Sequence, residues 1–256
     1  MKAIVLAAGY ATRLRPLTDT WAKELLPIAE KPMIDHILDR IRDVEEVDAV
    51  HVVTNARKAA SFEQWAREQV HVTVHDDGTS SNDHRLGAIG DLQLVIDRAG
   101  LEHEDLLVIA GDNLFDLSLA DYVEYWRGKG VASAVAVRDV GSRELASRYG
   151  IVEIADDDRV LDFVEKPADP PSTLAAIAAY VYHREHVPLV RAYLDEGNEP
   201  DQPGRLVQWL HRREPVYGWR FSSQWFDVGD FEQLLLADNV MRRRAGLPER
   251  VAYSPE

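Results

Sequence analysis

Between Leu6 and Pro32 the chain reads LAAGYATRLRPLTDTWAKELLPIAEKP, placing small residues, an arginine and a lysine directly after a hydrophobic run. Ala7, Ala8 and Gly9 carry almost no side chain, so their backbone N–H groups can come close to phosphate oxygens. Arg13 adds a planar fork for bidentate phosphate contact, and Lys23 adds a compact point charge farther along. The chemistry these residue types suit is a grip on a polyphosphate. Two carboxylates stand apart from this stretch. Asp112 follows an apolar run in Ala110-Gly111-Asp112-Asn113, and Asp227 lies in Trp225-Phe226-Asp227-Val228-Gly229. Taken singly, an aspartate in such a place forms a turn as readily as it binds a ligand. The stretch has neither the GxxxxGK[ST] of a P-loop NTPase nor the GxGxxG of a dinucleotide-binding dehydrogenase.

The elements that must position these groups alternate along the chain. Lys2 to Leu6 (KAIVL) reads as a first parallel strand buried on both faces. Further strand-like runs at 49–53, 70–75 and 105–110 alternate with helical patterns at 33–42, 59–69 and 86–98. This predicts an α/β fold with a doubly wound, mostly parallel sheet. Ligands in such folds sit at the carboxyl ends of strands, which is where the loops at Ala7-Ala8-Gly9 and Gly111-Asp112-Asn113 belong. The second half predicts strands at 131–137, 150–154, 160–164 and 177–182. Helices follow near 184–195, 205–213 and from Asp230, with loops at 167–171 and 197–203.

Bulk properties narrow the class. At 256 residues one α/β domain is the simplest count, and 46% hydrophobic with 29% charged residues is ordinary for a globular chain. A net charge of −15 disfavours general binding to nucleic acid or to anionic membranes. Positive charge for an anionic substrate must then be local. The absence of cysteine excludes disulfides, thiolate zinc sites and cysteine nucleophiles. No stretch approaches about 18 apolar residues, and the chain opens on a core strand, so a cytoplasmic location is expected.

The opening stretch resembles the sugar-1-phosphate nucleotidylyltransferases, the family of the glucose-1-phosphate thymidylyl- and uridylyltransferases. Their pattern runs LAAGxGTRLxPLT, then PKxLLPV and KP. Here Tyr10-Ala11 replaces two residues that are usually small, so Tyr10 is expected to point away from a nucleotide, and Ala22 replaces the proline before Lys23. Tyr149-Gly150-Ile151-Val152 matches the family's YGxV, and Glu165-Lys166-Pro167 matches its EKP. Only six of the 29 basic residues are lysines, and Lys23, Lys31 and Lys166 all fall within these motifs. The resemblance implies a single Rossmann-like nucleotidyltransferase domain. Its nucleotide-binding part would cover about 1–115, its sugar-phosphate part about 116–230, and a C-terminal helix and tail the rest. The ending MRRRAGLPERVAYSPE would be a peripheral helix and tail or a contact within a homo-oligomer.

The same resemblance implies the reaction and the residues. An NTP and a sugar 1-phosphate would be the small-molecule partners, joined by in-line attack on the α-phosphorus with release of pyrophosphate. Leu6, Ala7, Ala8, Gly9, Ala11, Thr12, Arg13 and Asp112 would hold the nucleotide. Arg13, Lys23 and Asp112 would be catalytic, and Asp112 and Asp227 would hold the cofactor Mg2+. Two unit charges 4 Å apart at an effective dielectric near 20 repel by about 4 kcal/mol, so two phosphate groups need such cations to meet. Gly150, Glu165 and Lys166 would take the sugar phosphate, with Tyr180, Tyr182 and Trp225 shaping the pocket. For the base, Asn82 stands roughly where the family has a glutamine, and Gly87 matches its glycine. The base stays open, and so does the acceptor, with a cyclitol phosphate or phosphocholine as alternatives to a sugar. A regulatory subunit that binds nucleotide without catalysis is a further alternative, although such subunits usually lose one of Arg13, Lys23, Asp112 or Asp227. Among nine histidines, His71 with His75 on one strand face and His183 with His186 near a helix start lack a third ligand, so no competing metal site is expected.

Overall fold

A computed structural model describes residues 1–255. Its first part holds β1 (Lys2–Leu6), α1 (Leu17–Thr20), the small ribbon β2 (Pro27–Ile28) and β3 (Lys31–Pro32), α2 (Met33–Arg42), β4 (Ala49–Thr54), α3 (Ala59–Ala66), β5 (Val72–Asp76), α4 (Ala88–Ala99) and β6 (Leu106–Ala110). The second holds β7 (Asn113–Phe115), α5 (Leu119–Arg127), β8 (Ser133–Asp139), α6 (Arg143–Ala146), β9 (Gly150–Ile154), β10 (Val160–Glu165), β11 (Leu174–Tyr182), α7 (Pro188–Asp195), α8 (Pro203–Leu210), β12 (Val216–Arg220), β13 (Trp225–Asp227) and α9 (Phe231–Arg244). One mixed nine-stranded sheet runs β10-β9-β11-β6-β1-β4-β5, with β8 on β11 and β12 on β8. From β5 to β6 every pairing is parallel, whereas β11 is antiparallel to β6, β8 and β9.

The sheet is a single domain because both of its faces are covered. Ala3, Ile4 and Val5 of β1 are fully buried, as suits a central parallel strand. In α2, Ile34, Ile37, Leu38 and Ile41 recur at helical spacing and join Phe62 and Tyr122 on one face. In α4, Ile89, Leu92, Val95 and Ile96 do the same on the other face, with Leu206 and Leu210 of α8. Truncating one such residue, Ile37→Ala for example, would cost about 2–5 kcal/mol. Gly100 ends α4 in the left-handed conformation. The carboxyl ends of β1, β4, β5 and β6 therefore open onto one edge, and the candidate loops leave from it.

The expected strands are present with ends shifted by a few residues, and α2 has the predicted limits. His71 falls outside β5 with a left-handed backbone, so it shares no strand face with His75. His75 instead meets His51 across β4 and β5, with Nδ1 of His51 3.0 Å from Nε2 of His75. The helix expected from residue 184 begins at Pro188, whose fixed φ suits a first helical turn.

Candidate active site

The loop after β1 is held from behind by side chains. Asn55, buried at the end of β4, donates from Nδ2 to the carbonyl of Ala8 at 3.0 Å. Thr18, also buried, donates from Oγ1 to the carbonyl of Ala11 at 2.9 Å. These ties account for the threonine of the PLT segment. With those carbonyls engaged, the backbone N–H groups from Ala8 to Arg13 have no acceptor among the described residues. Ala11 adopts φ 44° and ψ 44°, the left-handed state, which turns successive amides toward one side as in anion-binding nests. Tyr10 directs its hydroxyl to Oγ1 of Thr79 at 2.9 Å, tying the loop after β1 to the loop after β5.

Beside this loop lies a cleft of about 410 Å³ whose wall includes Arg13, Asp112, Gly150, Glu165, Lys166 and Asp227. The two aspartates come together because β7 and β13 form one antiparallel ribbon in which Asp227 faces Asn113. The amide of Val228 donates to the carbonyl of Asp112 at 3.1 Å. Lys23 reaches in from its short turn and donates from Nζ to Oδ2 of Asp112 at 2.6 Å. Burial opposes the Lys23 ammonium, but the charges of Asp112 and Glu24 prevail and hold its pKa above the ordinary value. Asp227 is pushed up to about 6 by burial and then by the charge of Asp112, against the pull of Lys23, Arg13 and Lys166. Gly111 keeps the ends of β1 and β6 close, since a Cβ there would stand 3.1 Å from the Leu6 carbonyl, and 2.9 Å from Cγ of Glu24. A Cβ at Gly229 would lie 3.5 Å from the guanidinium of Arg13.

The donor set fits magnesium. Burial first and the charge of Asp112 second disfavour a negative charge on Asp227, and a hard cation would relieve both. Among the described residues no group of three or more acidic or histidine side chains is gathered for a metal. Asp112 and Asp227 would offer carboxylate oxygens, and a cation that retains water and takes phosphate oxygens suits so small a donor set.

Elsewhere in the cleft wall, β9 and β10 pair so that Glu165 faces Gly150. The amide of Lys166 donates to the carbonyl of Tyr149 at 3.1 Å, with Lys166 itself left-handed at φ 46°. Burial raises the Glu165 pKa, against the opposing charges of Lys166 and Arg205. Tyr180 and Trp225 line the cleft. Tyr182 does not, being sealed in the core at 2% exposure, so packing explains it. Sequence reasoning passed over Asn113. Its Oδ1 accepts from Nε1 of Trp225 at 3.0 Å, while its Nδ2 is buried without a partner in the cleft wall. The signal was its place directly after Asp112. Sequence reasoning also passed over Asn55, which stands directly after β4.

Other residues named from sequence lie elsewhere. Asn82 is exposed on a single turn, where its carbonyl accepts from Arg85. Gly87 precedes α4 at φ 81°, and a Cβ there would come within 2.6 Å of the Pro200 carbonyl. Leu6, Ala7 and Ala8 form the floor behind the loop, while Gly9 and Thr12 are exposed on it.

A mixed, mostly parallel sheet whose first strand ends in a loop with free amides, beside a cleft that holds Asp112 and Asp227, makes this an α/β protein with its candidate site at the carboxyl ends of its strands. The chain belongs to the nucleotidyl transferase family, whose sequence model matches residues 2–243. It is 31% identical over 238 residues to a UTP-glucose-1-phosphate uridylyltransferase of Synechocystis, covering 90% of this chain but only 60% of that protein. It is likewise 31% identical over 184 residues to a UTP-glucose-1-phosphate uridylyltransferase of Haloferax volcanii, covering 71% of this chain and 72% of that one. The solved structure of a UDP-glucose pyrophosphorylase complexed with UDP-glucose superposes with a TM-score of 0.80, covering 95% of this chain and 98% of the other. At 23% identity that likeness concerns the fold alone. No helix among the described residues is long and apolar enough to cross a membrane.

Proposed function

We propose that this chain is a nucleotidylyltransferase that condenses an NTP with a sugar 1-phosphate, giving an NDP-sugar and pyrophosphate. The observation that carries this reading is the convergence of Arg13, Asp112, Asp227, Glu165 and Lys166 on one cleft. The part up to about residue 115 takes the nucleotide, and the part from about 116 to 230 takes the acceptor. The free amides from Ala8 to Arg13 and the Arg13 guanidinium bind the triphosphate. Lys23 adds positive charge where the two substrates meet. Lys166 neutralises the acceptor phosphate, Glu165 accepts from its hydroxyls, and Nδ2 of Asn113 offers a donor. An oxygen of the acceptor phosphate attacks the α-phosphorus in line, and the bond from that phosphorus to the departing pyrophosphate breaks. A phosphate monoester dianion is already a nucleophile, so no side chain need remove a proton. Magnesium held by Asp112 and Asp227 would supply the charge that lets the two anions approach and stabilises the leaving group.

The test is a matrix of the common NTPs against a panel of acceptor phosphates, beginning with UTP and glucose 1-phosphate, the pair named for the uridylyltransferase relatives. Pyrophosphate is expected only when the right pair and magnesium are present together. Its absence from every pair would overturn the activity.

A further inference from the structure

We propose that Gly204 is a positioning residue that sets the Glu165 carboxylate for the acceptor, an inference that rests on the reading above. The helix expected near 205–213 was given no role from sequence, yet the first turn of α8 forms part of the cleft wall. A Cβ built on Gly204 would stand 1.9 Å from Oε2 of Glu165, 3.1 Å from its Cδ and 3.0 Å from Cζ of Phe163. The carboxylate occupies the space a side chain at 204 would need. Across from it, a Cβ on Gly150 would stand 2.9 Å from the same Oε2 and 2.5 Å from Cζ of Phe163. Glu165 therefore lies in a slot between two bare backbones, one from β9 and one from α8.

Backbone conformation does not call for the glycine, and the approach to Phe163 is looser than the approach to the carboxylate. The Gly204 backbone is helical, with no positive φ, and alanine is preferred to glycine within a helix. Nor can the helix easily retreat. The segment leading into α8 is fastened to the start of α4, where the amide of Ile89 donates to the carbonyl of Pro200 at 2.8 Å. Arg85 and Asp201 add an ion pair with Nε to Oδ1 at 2.6 Å. An added methyl group at 204 thus meets a fixed helix on one side and a movable side chain on the other. The carboxylate is the part that yields.

The test crosses Gly204→Ala with Glu165→Asp, whose shorter side chain draws back from the slot. In steady-state kinetics Gly204→Ala is expected to raise the acceptor KM by about tenfold while the NTP KM stays within about twofold. Adding Glu165→Asp should recover part of that loss, although Glu165→Asp alone weakens acceptor binding. An unchanged acceptor KM, a parallel rise in both KM values, or losses that simply add would overturn the proposal. Thermal unfolding of the same four proteins decides it without turnover. Gly204→Ala should lower Tm by more when Glu165 is intact than when it is combined with Glu165→Asp, and equal shifts would sink the idea. If the unaltered chain turns over no substrate pair, the proposed activity falls while the unfolding cycle still judges Gly204.

Discussion

Around the loop after β1 the groups proposed to bind the ligand are backbone amides, and buried side chains hold them: Asn55 on the Ala8 carbonyl and Thr18 on the Ala11 carbonyl. Across the cleft the arrangement is inverted. There the group proposed to bind is a side chain, the Glu165 carboxylate, and bare backbone at Gly150 and Gly204 makes its slot. The contrast teaches that the two walls fail under opposite substitutions. The first suffers when a polar side chain is removed, and the second when any side chain is added.

The largest expected effect lies between the walls. Asp112→Asn should lower turnover by about a hundredfold or more, the range for losing one key electrostatic group. Pyrophosphate release measures it, and a near-normal rate would remove Asp112 from the chemistry. Asn55→Ala leaves the buried Ala8 carbonyl without its donor and should cost about 1–3 kcal/mol of stability. Gly150→Ala should cost about 1–3 kcal/mol by overpacking against Phe163. Denaturant unfolding gives both costs, and substrate titration should separate them: Asn55→Ala weakens the NTP, and Gly150→Ala weakens the acceptor. If both variants weaken the same substrate, the contrast between the walls is lost.

Acid should act on the parallel half. Burial, with the neighbouring charges of His51 and Arg98, lowers the His75 pKa to about 4. The unfolded chain therefore binds more protons between pH 6.5 and 4 than the folded one. The stability contribution is complete above pH 6.5 and is lost as the pH falls toward 4. Urea midpoints at pH 7.5 and pH 5 should differ less in His75→Gln than in the unaltered chain, and an equal difference would contradict this. The smallest effect concerns Ala11. Its left-handed backbone stores about 1 kcal/mol of strain, which Ala11→Gly relieves and partly returns as chain entropy. A small rise in unfolding midpoint is expected, and a clear fall would show that the methyl group packs usefully.

How legible the molecule was depended on whether its physics is local. The opening stretch was readable because a strand, a nest and its cations lie within one short segment, and α2 was readable because Ile34, Ile37, Leu38 and Ile41 spell a helical face. The same spacing in Leu119, Tyr122, Val123 and Trp126 marks α5, with Ser118 capping it, but it was passed over beside the more conspicuous acid motif. The ribbon of β7 and β13 pairs three-residue strands more than a hundred positions apart, too short to carry a period. Gly204 is silent in sequence for a different reason: its meaning is an empty volume, defined only by what fills it. Asn82 was placed by counting toward Gly87 through an irregular segment, which carries no period to fix a position; it stands exposed on a turn, while Asp77 and Thr79, joined by hydrogen bonds, directly follow β5.

The ribbon has one more consequence. Because Asp227 pairs with Asn113 and the amide of Val228 is tied to Asp112, any motion that leaves those bonds intact carries both acids as one rigid jaw. Under the proposed function, the widening that frees a product would then come from another wall of the cleft.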